Sequence, residues 1–238
     1  IGIDLGTSGL KLLLVAADGT ILSENTQTYP VSYPQPGWSE QNPEDWYDAA
    51  LRGLKALLEG QDKAAVKGIS FGGQMHGLVI LDEKDEVIRS AILWNDGRTE
   101  EETRYLNEVF GKDKLSEYTG NIAFAGFTAP KLLWMRKHEG ENFARIKKIM
   151  LPKDYLCYRL SGAFATDVSD ASGTLFFDVK HRRWSMNMCR ELGITNLQLP
   201  KPYESFKAVG TLKKETAAAL GLSPDVKVIA GAGDNAAA

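Results

Sequence analysis

The chain opens with a short apolar segment that leads into glycines, Ile1-Gly2-Ile3-Asp4-Leu5-Gly6-Thr7-Ser8-Gly9. Its pattern predicts a buried strand followed by a tight loop. In such a loop Gly6 frees the backbone N–H groups to face an anion, and the hydroxyls of Thr7 and Ser8 add donors. A carboxylate at the end of a buried strand needs a partner, and Asp4 can hold Mg²⁺ or its water. We therefore predict that Gly6, Thr7 and Ser8 bind a phosphate beside a metal-side carboxylate.

A second segment of this kind lies at the other end of the chain, Val228-Ile229-Ala230-Gly231-Ala232-Gly233-Asp234-Asn235. A strand that leads into glycines lets a phosphate or a sugar approach the backbone closely. We predict that Asp4 and Asp234 share one cleft for phosphoryl transfer. Asp234 is expected to act as general base toward the attacking hydroxyl, with Asn235 fixing the substrate. The segment also fits a G-x-G-x-x-A dinucleotide fingerprint, but an acid directly after the second glycine would repel a pyrophosphate.

Composition favours a small-molecule partner. The 238 residues include 28 basic and 31 acidic side chains, a formal net charge of −3, so neither nucleic acid nor an anionic membrane is expected as partner. Two cysteines without metal-ligand spacing predict neither a zinc site nor a disulfide framework, which favours a cytoplasmic protein. The sequence leaves the oligomeric state open, a homodimer included.

The opening third predicts an antiparallel meander followed by a helix. We predict a strand at Lys11–Ala16 and, from an alternating pattern, another at Ile21–Tyr29, joined by a tight turn at Asp18-Gly19. Asn42 then provides an N-cap, and Pro43 suits the first helical position. The order β-β-β-α predicts an α/β fold.

Later segments predict a single elaborated domain. We expect a buried strand at Val66–Phe71 and mostly helix over Thr99–His138, with Glu100–Glu102 forming a solvated helix face. The segment Ser161–Phe177 is rich in Gly, Ser, Thr and Asp and predicts turns with short strands. The stretch Gly120–Pro202 is expected to form an insertion or a flanking lobe.

A candidate sugar site follows the strand at Val66–Phe71. Gln74 and His76 can exchange hydrogen bonds with neighbouring sugar hydroxyls, and Met75 can cover an apolar C–H face. Gly72, Gly73 and Gly77 surround these residues and imply that something approaches the backbone. A lone histidine in other contexts is more often structural.

A second candidate lies after the predicted strand Ala91–Leu93. Trp94 either stacks on a sugar or forms part of an ordered loop, and we leave both alternatives open. Asp96 and Arg98 are expected to support that loop through an ion pair rather than to bind a ligand.

With these residues in view, the sequence resembles the FGGY family of carbohydrate kinases, which have the actin-like ATPase, or ribonuclease H-like, fold. Within the family it is most similar to the xylulokinases. The resemblance covers nearly all 238 residues. The stretch Gly126–His138 satisfies the family's first sequence signature. The other matching motifs are Gly2–Ser8, Pro36–Trp46, Gln74–Gly77, Trp94–Arg98 and Gly233–Asn235.

The resemblance implies a fold, a reaction and roles for particular residues. It implies a mixed sheet flanked by helices with helical insertions, and MgATP-dependent phosphorylation of a ketopentose, D-xylulose to D-xylulose 5-phosphate. Met75 and His76 would bind the sugar, Asp234 would be the catalytic base with Asn235 on the sugar, and Asp4 would be the metal-side carboxylate. Glycerol kinases carry an Arg-Glu pair at the Gln-Met-His positions, which disfavours glycerol.

Family members carry a second lobe that supplies most of the ATP-binding surface. We therefore expect residues 1–238 to be the N-terminal, sugar-binding domain of a longer protein, inactive as a kinase alone. The alternatives are a kinase for ribulose, gluconate or glycerol, an actin-like chaperone or filament module, and a sugar sensor without kinase activity.

Overall fold

The structure is a computed structural model that describes residues 1–237. Its strands and helices alternate along the chain in a mixed α/β arrangement. The strands are β1 (Gly2–Leu5), β2 (Gly9–Val15), β3 (Ile21–Thr28), β4 (Glu40–Gln41), β5 (Gly68–Gly73), β6 (Val79–Leu81), β7 (Ala91–Ile92), β8 (Lys148–Met150), β9 (Ala165–Asp167), β10 (Phe177–Asp178), β11 (Arg183–Trp184), β12 (Lys201–Tyr203), β13 (Ala208–Thr211), β14 (Lys227–Ile229) and β15 (Ala232–Gly233).

Some of the helices pack in a first hydrophobic core and others in a second one. They are α1 (Pro43–Leu57), α2 (Glu100–Arg104), α3 (Lys112–Thr119), α4 (Thr128–His138), α5 (Gly140–Arg145), α6 (Pro152–Ser161), α7 (Val168–Ser172), α8 (Met186–Leu192), α9 (Lys214–Leu220) and α10 (Asp234–Ala237). A π-helical turn at Tyr105–Gly111 joins α2 to α3, and short 3₁₀ turns lie at Lys63–Ala65 and Asn196–Gln198.

The main sheet has seven strands, in the order β13-β14-β5-β1-β2-β3, with β15 also paired to β5. The predicted meander is confirmed, because β1, β2 and β3 pair in antiparallel fashion. Leu5 pairs with Leu10, which leaves Gly6–Ser8 at the tip of the first hairpin. Strand β5 runs parallel to β1, β14 and β15, so the carboxyl ends of β1, β5 and β15 meet at one edge of the sheet.

Helix α1 begins where the sequence predicts. The Asn42 side chain accepts a hydrogen bond from the backbone N–H of Glu44 at 3.2 Å, and Pro43 occupies the first turn. Trp46 and Leu54 are fully buried on its inner face. Side chains from α1, α6, α9 and the sheet together form the first hydrophobic core.

A second hydrophobic core lies in the chain between β5 and β13. It contains buried side chains from β6, β8, α3, α4 and α8. This core does not coincide with the insertion or flanking lobe predicted at Gly120–Pro202, because it includes Leu78 and Leu106, while Tyr155 and Leu160 of α6 belong to the first core. No helix within residues 1–237 is long and apolar enough to cross a membrane.

Two local expectations need correction. The run Glu100–Glu102 is not a fully solvated face, since Glu102 is 6% exposed and lies beneath Lys137 and His138 of α4. The segment Ser161–Phe177 contains helix α7 as well as the expected turns and strand. Asp167 caps this helix through its side chain, which overrides the weak helical pattern of the segment.

Candidate active site

Asp4 and Asp234 lie at the same edge of the sheet, on either side of β5. Asp4 on β1 is in register with Gly72, and Ala232 on β15 is in register with Gly72 from the opposite side. Two interstrand spacings correspond to about 10 Å between the outer strands. Both aspartates line one cleft of about 550 Å³, and a β-carbon on Gly72 would lie 3.6 Å from the Asp4 carboxylate.

The cleft carries an excess of negative charge. The pKa of Asp4 is raised, first because partial burial disfavours the charged form and second because Asp234 repels it, while Lys11 acts in the opposite sense. Asp234 is exposed, and its Oδ1 accepts a hydrogen bond from the Asn235 N–H at 2.8 Å. Two carboxylates suit Mg²⁺, because this ion keeps several waters and binds through one or two carboxylates plus phosphate oxygens.

The loop Gly6–Ser8 is a fixed turn. The Gly6 N–H donates to the Gly9 carbonyl at 3.0 Å, and the Tyr29 hydroxyl donates to the Gly6 carbonyl at 2.5 Å. Among residues 1–237 the Thr7 and Ser8 amides donate to no protein group, and Ser8 is exposed. These two N–H groups and the Ser8 hydroxyl are therefore free to face an anion.

The Thr7 hydroxyl is placed differently from the expectation. It donates to Gln74 Oε1 at 3.1 Å and accepts a hydrogen bond from Trp94 Nε1 at 3.0 Å. A hydroxyl has a single proton, and in this structure Thr7 gives it to Gln74, so the Thr7 hydroxyl ties two other segments to the loop. The loop and the candidate sugar site are thereby joined.

Gln74 is also placed differently. Its side chain is buried, and Nε2 donates to Gln41 Oε1 at 3.0 Å while Oε1 accepts from Thr7. Gln41 in turn accepts from Trp46 Nε1 and donates to the Thr7 carbonyl. Gln74 therefore links the first helix to the hairpin tip, and in this arrangement its carboxamide supports the site rather than facing a sugar.

Met75 lies against the segment that carries Asp234, whereas His76 lies against Gly173 at the end of α7. A β-carbon on Gly233 would come within 2.9 Å of Met75 Cγ, and one on Gly173 would come within 2.3 Å of His76 Cε1. The His76 ring also packs on Phe127, with 4.7 Å between the ring centroids. Glycines at these two positions thus leave room for both predicted sugar-binding side chains, and Met75 lies beside the residue that precedes the predicted base.

His76 is held in an unusual backbone conformation. Its φ is +66°, in the left-handed region, and its carbonyl accepts hydrogen bonds from Lys131 Nζ at 2.9 Å and Thr128 Oγ1 at 3.2 Å. Burial, and after it the charge of Lys131, lowers the pKa of His76 to about 4. The imidazole is therefore neutral at pH 7, with one donor and one acceptor nitrogen, and buried Nδ1 has no hydrogen-bond partner within residues 1–237.

The loop that carries Trp94 is organised as predicted. Asp96 is buried and accepts hydrogen bonds from the Ser39 N–H at 2.6 Å and from Arg98 Nε at 2.8 Å. The Arg98 guanidinium lies 3.7 Å from the ring centroid of Trp38. These side chains point inward, while Trp94 is 49% exposed and forms a wall near the hairpin tip. Asn235 is exposed at the start of α10.

Several residues of the site were not predicted. Lys131 is fully buried and donates to the carbonyls of His76 and Gly126. A lysine within the apolar run of α4 is the signal that could have identified it. Lys153, Asp167 and Asp170 form a buried cluster behind Gly233. The only signal for the two aspartates in the sequence is the presence of acidic residues in the segment Ser161–Phe177.

The chain is similar to known carbohydrate kinases in sequence and in fold. The N-terminal domain of the FGGY family of carbohydrate kinases matches residues 1–238. The xylulose kinase of Escherichia coli is 46% identical over 237 residues, which cover 100% of this chain and 48% of that relative. The structure of a "xyloylose kinase" from Brucella ovis superposes with a TM-score of 0.95 at 43% identity, over 99% of this chain and 48% of the other. The structure of a gluconate kinase from Lactobacillus acidophilus superposes with a TM-score of 0.93 at 29% identity, over 98% of this chain and 47% of the other.

The mixed sheet flanked by helices is the actin-like ATPase fold that these sugar kinases have, as predicted. The chain belongs to the FGGY family of carbohydrate kinases. It spans about half the length of the curated relatives it matches.

Proposed function

We propose that this chain is the sugar-binding, N-terminal domain of an ATP-dependent kinase that phosphorylates a ketopentose, D-xylulose, at its C5 hydroxyl. The observation that carries the proposal is the placement of Asp4 on β1 and of Asp234 directly after β15, on strands that flank Gly72, with Met75 packed against Gly233. The identity to relatives named xylulose kinase, across the whole chain, supports the choice of substrate.

In the proposed reaction the oxygen of the sugar hydroxyl forms a new bond to the γ-phosphorus of ATP. Asp234 accepts the proton that this hydroxyl loses. The bond from that phosphorus to the bridging oxygen breaks, and ADP leaves. Because the proton moves late in a loose transition state, the base mainly orients the alcohol. The exposed carboxylate of Asp234 at the mouth of the cleft is suited to this role.

The sugar would lie between Asp234 and the loop that follows β5. Neutral His76 can pair with a hydroxyl as donor and acceptor, and Met75 can cover a C–H face. Trp94 would form the outer wall, and Asn235 would contact the sugar beside the base. Gln74 would hold this loop in place through Gln41 and Thr7.

ATP and Mg²⁺ would be the cofactors. Asp4 fits the metal side, because its carboxylate lines the cleft and its pKa is raised partly by repulsion from Asp234, which a cation would relieve. Bound Mg²⁺ would neutralise charge on the transferring phosphates. The free amides of Thr7 and Ser8 would face phosphate oxygens. Most of the nucleotide surface would come from a second lobe, whose closure would exclude water.

A coupled kinase assay of the full-length protein tests the proposal, with D-xylulose, ribulose, gluconate and glycerol as substrates. We expect D-xylulose to give the highest kcat/KM and Asp234→Asn to lower kcat by at least ~10³-fold. Near-normal turnover by that variant would remove Asp234 from the role of base.

Titration calorimetry separates the alternatives. Residues 1–238 alone are expected to bind D-xylulose weakly and to show no turnover. A full-length protein that binds sugar without phosphorylating any of the four substrates would instead be a sensor, and one that binds no sugar would favour the chaperone or filament alternative.

A further inference from the structure

The backbone just before Asp234 is fixed by hydrogen bonds from outside its own strand. The Gly231 N–H donates to the Ser205 carbonyl at 3.0 Å, and the Gly233 N–H donates to Ser169 Oγ at 3.3 Å. Gly231 itself has φ of +78°, and a β-carbon there would lie 2.1 Å from the Phe71 carbonyl oxygen. The direction in which the chain delivers Asp234 is thus set by α7 and by the segment around Ser205.

Both of these contacts lead to one buried carboxylate. Asp167 Oδ2 accepts hydrogen bonds from the Ser169 N–H at 2.8 Å, from Ser169 Oγ at 2.5 Å and from Ser205 Oγ at 2.8 Å. Its Oδ1 lies 2.9 Å from Lys153 Nζ. Burial by itself raises the pKa of Asp167, but the Lys153 ammonium and the hydroxyl hydrogen bonds outweigh it, so the pKa is lowered and the group is ionised at neutral pH.

An ionised Asp167 fixes the direction of the Ser169 hydroxyl. Because the hydroxyl has a single proton and donates it to Asp167, a lone pair of Ser169 Oγ is left to accept the N–H of Gly233. A hydrogen bond to a charged group is shorter and stronger than one between neutral groups, so this orientation is well defined. Lys153, Asp167, Ser169 and Gly233 therefore form a continuous chain that ends one residue before Asp234.

Gly233 has little freedom to move away from this chain. A β-carbon at this position would come within 2.9 Å of Met75 Cγ and 3.3 Å of Asp170 Oδ1. The residue is thus enclosed between a predicted sugar-binding side chain and the buried cluster. A shift of Gly233 would therefore change the direction in which the Asp234 carboxylate points.

We propose that Ser169, oriented by Asp167, is a positioning residue for the general base Asp234. This inference rests on the proposed function, since it assigns Asp234 the role of base. Loss of the Ser169 hydroxyl would leave the sugar-binding side chains in place but would loosen the backbone that aims the carboxylate. A misplacement of about 1 Å at a reacting group can lower a rate ~10²-fold.

Steady-state kinetics of the full-length protein test the proposal. We expect Ser169→Ala to lower kcat by ~10- to 100-fold with the KM for sugar within about twofold, and Ser169→Thr, which keeps a hydroxyl, to recover part of the rate. Ser172→Ala is the matched control, because Ser172 lies on the same helix and its hydroxyl donates to the Ser169 carbonyl without contacting Gly233. The kcat of the Ser172→Ala variant should stay within about twofold of the wild-type value.

Hydrogen–deuterium exchange of the peptide around Gly233 gives a readout that does not depend on activity. Ser169→Ala should speed exchange there at least ~10-fold, and Ser172→Ala should leave it unchanged. A wild type that phosphorylates no sugar overturns the proposed function. An active wild type whose Ser169→Ala variant keeps its kcat, or whose Gly233 exchange does not change, overturns the positioning role alone.

Discussion

Lys131 Nζ lies 2.9 Å from the carbonyl oxygen of His76 and 2.7 Å from that of Gly126. Lys131 is fully buried in α4, and burial lowers its pKa to about 7, with Arg98 adding to the shift and Asp96 opposing it. One amino group thus joins the predicted sugar loop to the start of α4. It also stabilises His76 in its left-handed conformation.

We expect Lys131→Met to destabilise the domain by ~1–3 kcal/mol, because the buried carbonyls of His76 and Gly126 lose their hydrogen-bond donor. For a chain of this size the melting temperature should fall by about 2–4 °C for each kcal/mol. The control is Lys137→Met, since Lys137 forms an exposed pair with Glu101 at 2.6 Å that contributes little. Equal melting temperatures for the two variants would contradict a stabilising role for the hydrogen bonds that Lys131 donates.

His76 predicts a pH dependence of stability. Its pKa is about 4 in the folded chain and 6.5 ordinarily, so between these values the unfolded chain binds more protons and stability falls as the pH is lowered. The loss at pH 4 is up to ~3 kcal/mol relative to pH 7.

Urea unfolding at pH 6.5, 5.5 and 4.5 measures this effect. His76→Asn, which tolerates the positive φ, should lose less stability over that interval than the wild type. A His76→Asn variant that lost as much stability as the wild type over this interval would contradict the prediction.

Asp170 predicts a stabilising substitution. Its carboxylate is buried, makes no hydrogen bond within residues 1–237 and lies 3.7 Å from Lys153. Burial raises the pKa of Asp170 well above its usual range. The charge of Lys153 acts to lower this pKa, and the charges of Asp154, Asp167 and Asp234 raise it further. A folded state that keeps this proton loses stability as the pH rises above 3.8.

We therefore expect Asp170→Asn to raise the melting temperature at pH 7 by ~2–6 °C and to make stability less dependent on pH. Asp154→Asn is the contrasting variant, because Asp154 Oδ1 accepts from Lys153 Nζ at 2.7 Å. It should destabilise the domain. A lower melting temperature for Asp170→Asn at pH 7 would mean that the ionised form is the stable one.

Two glycines at the cleft should respond differently to alanine. Gly231 has a positive φ and no room for a β-carbon beside the Phe71 carbonyl, so Gly231→Ala should cost ~2–4 kcal/mol. At Gly72 the nearest atoms lie at 3.6 Å, so Gly72→Ala should fold within ~0.5 kcal/mol of the wild type. Denaturant unfolding of both variants is the measurement, and similar losses would contradict the argument.

Local sequence patterns were sufficient for much of the fold. The alternation in β3, the Asn42-Pro43 helix start and the glycines after β1 each act over a few residues, so their consequences could be predicted without knowledge of packing. The ion pair of Asp96 and Arg98 was predictable for the same reason.

The sequence by itself therefore determined the hairpin tip, the first helix and the two strands that deliver Asp4 and Asp234. Only the tertiary structure decided which polar groups have internal partners. Gln74 bonds to residues 33 and 67 positions away, and Gly233 bonds to one 64 positions away. Such pairs depend on how helices and strands pack, because a hydrogen bond needs its partner within about 3 Å and no local periodicity encodes that distance.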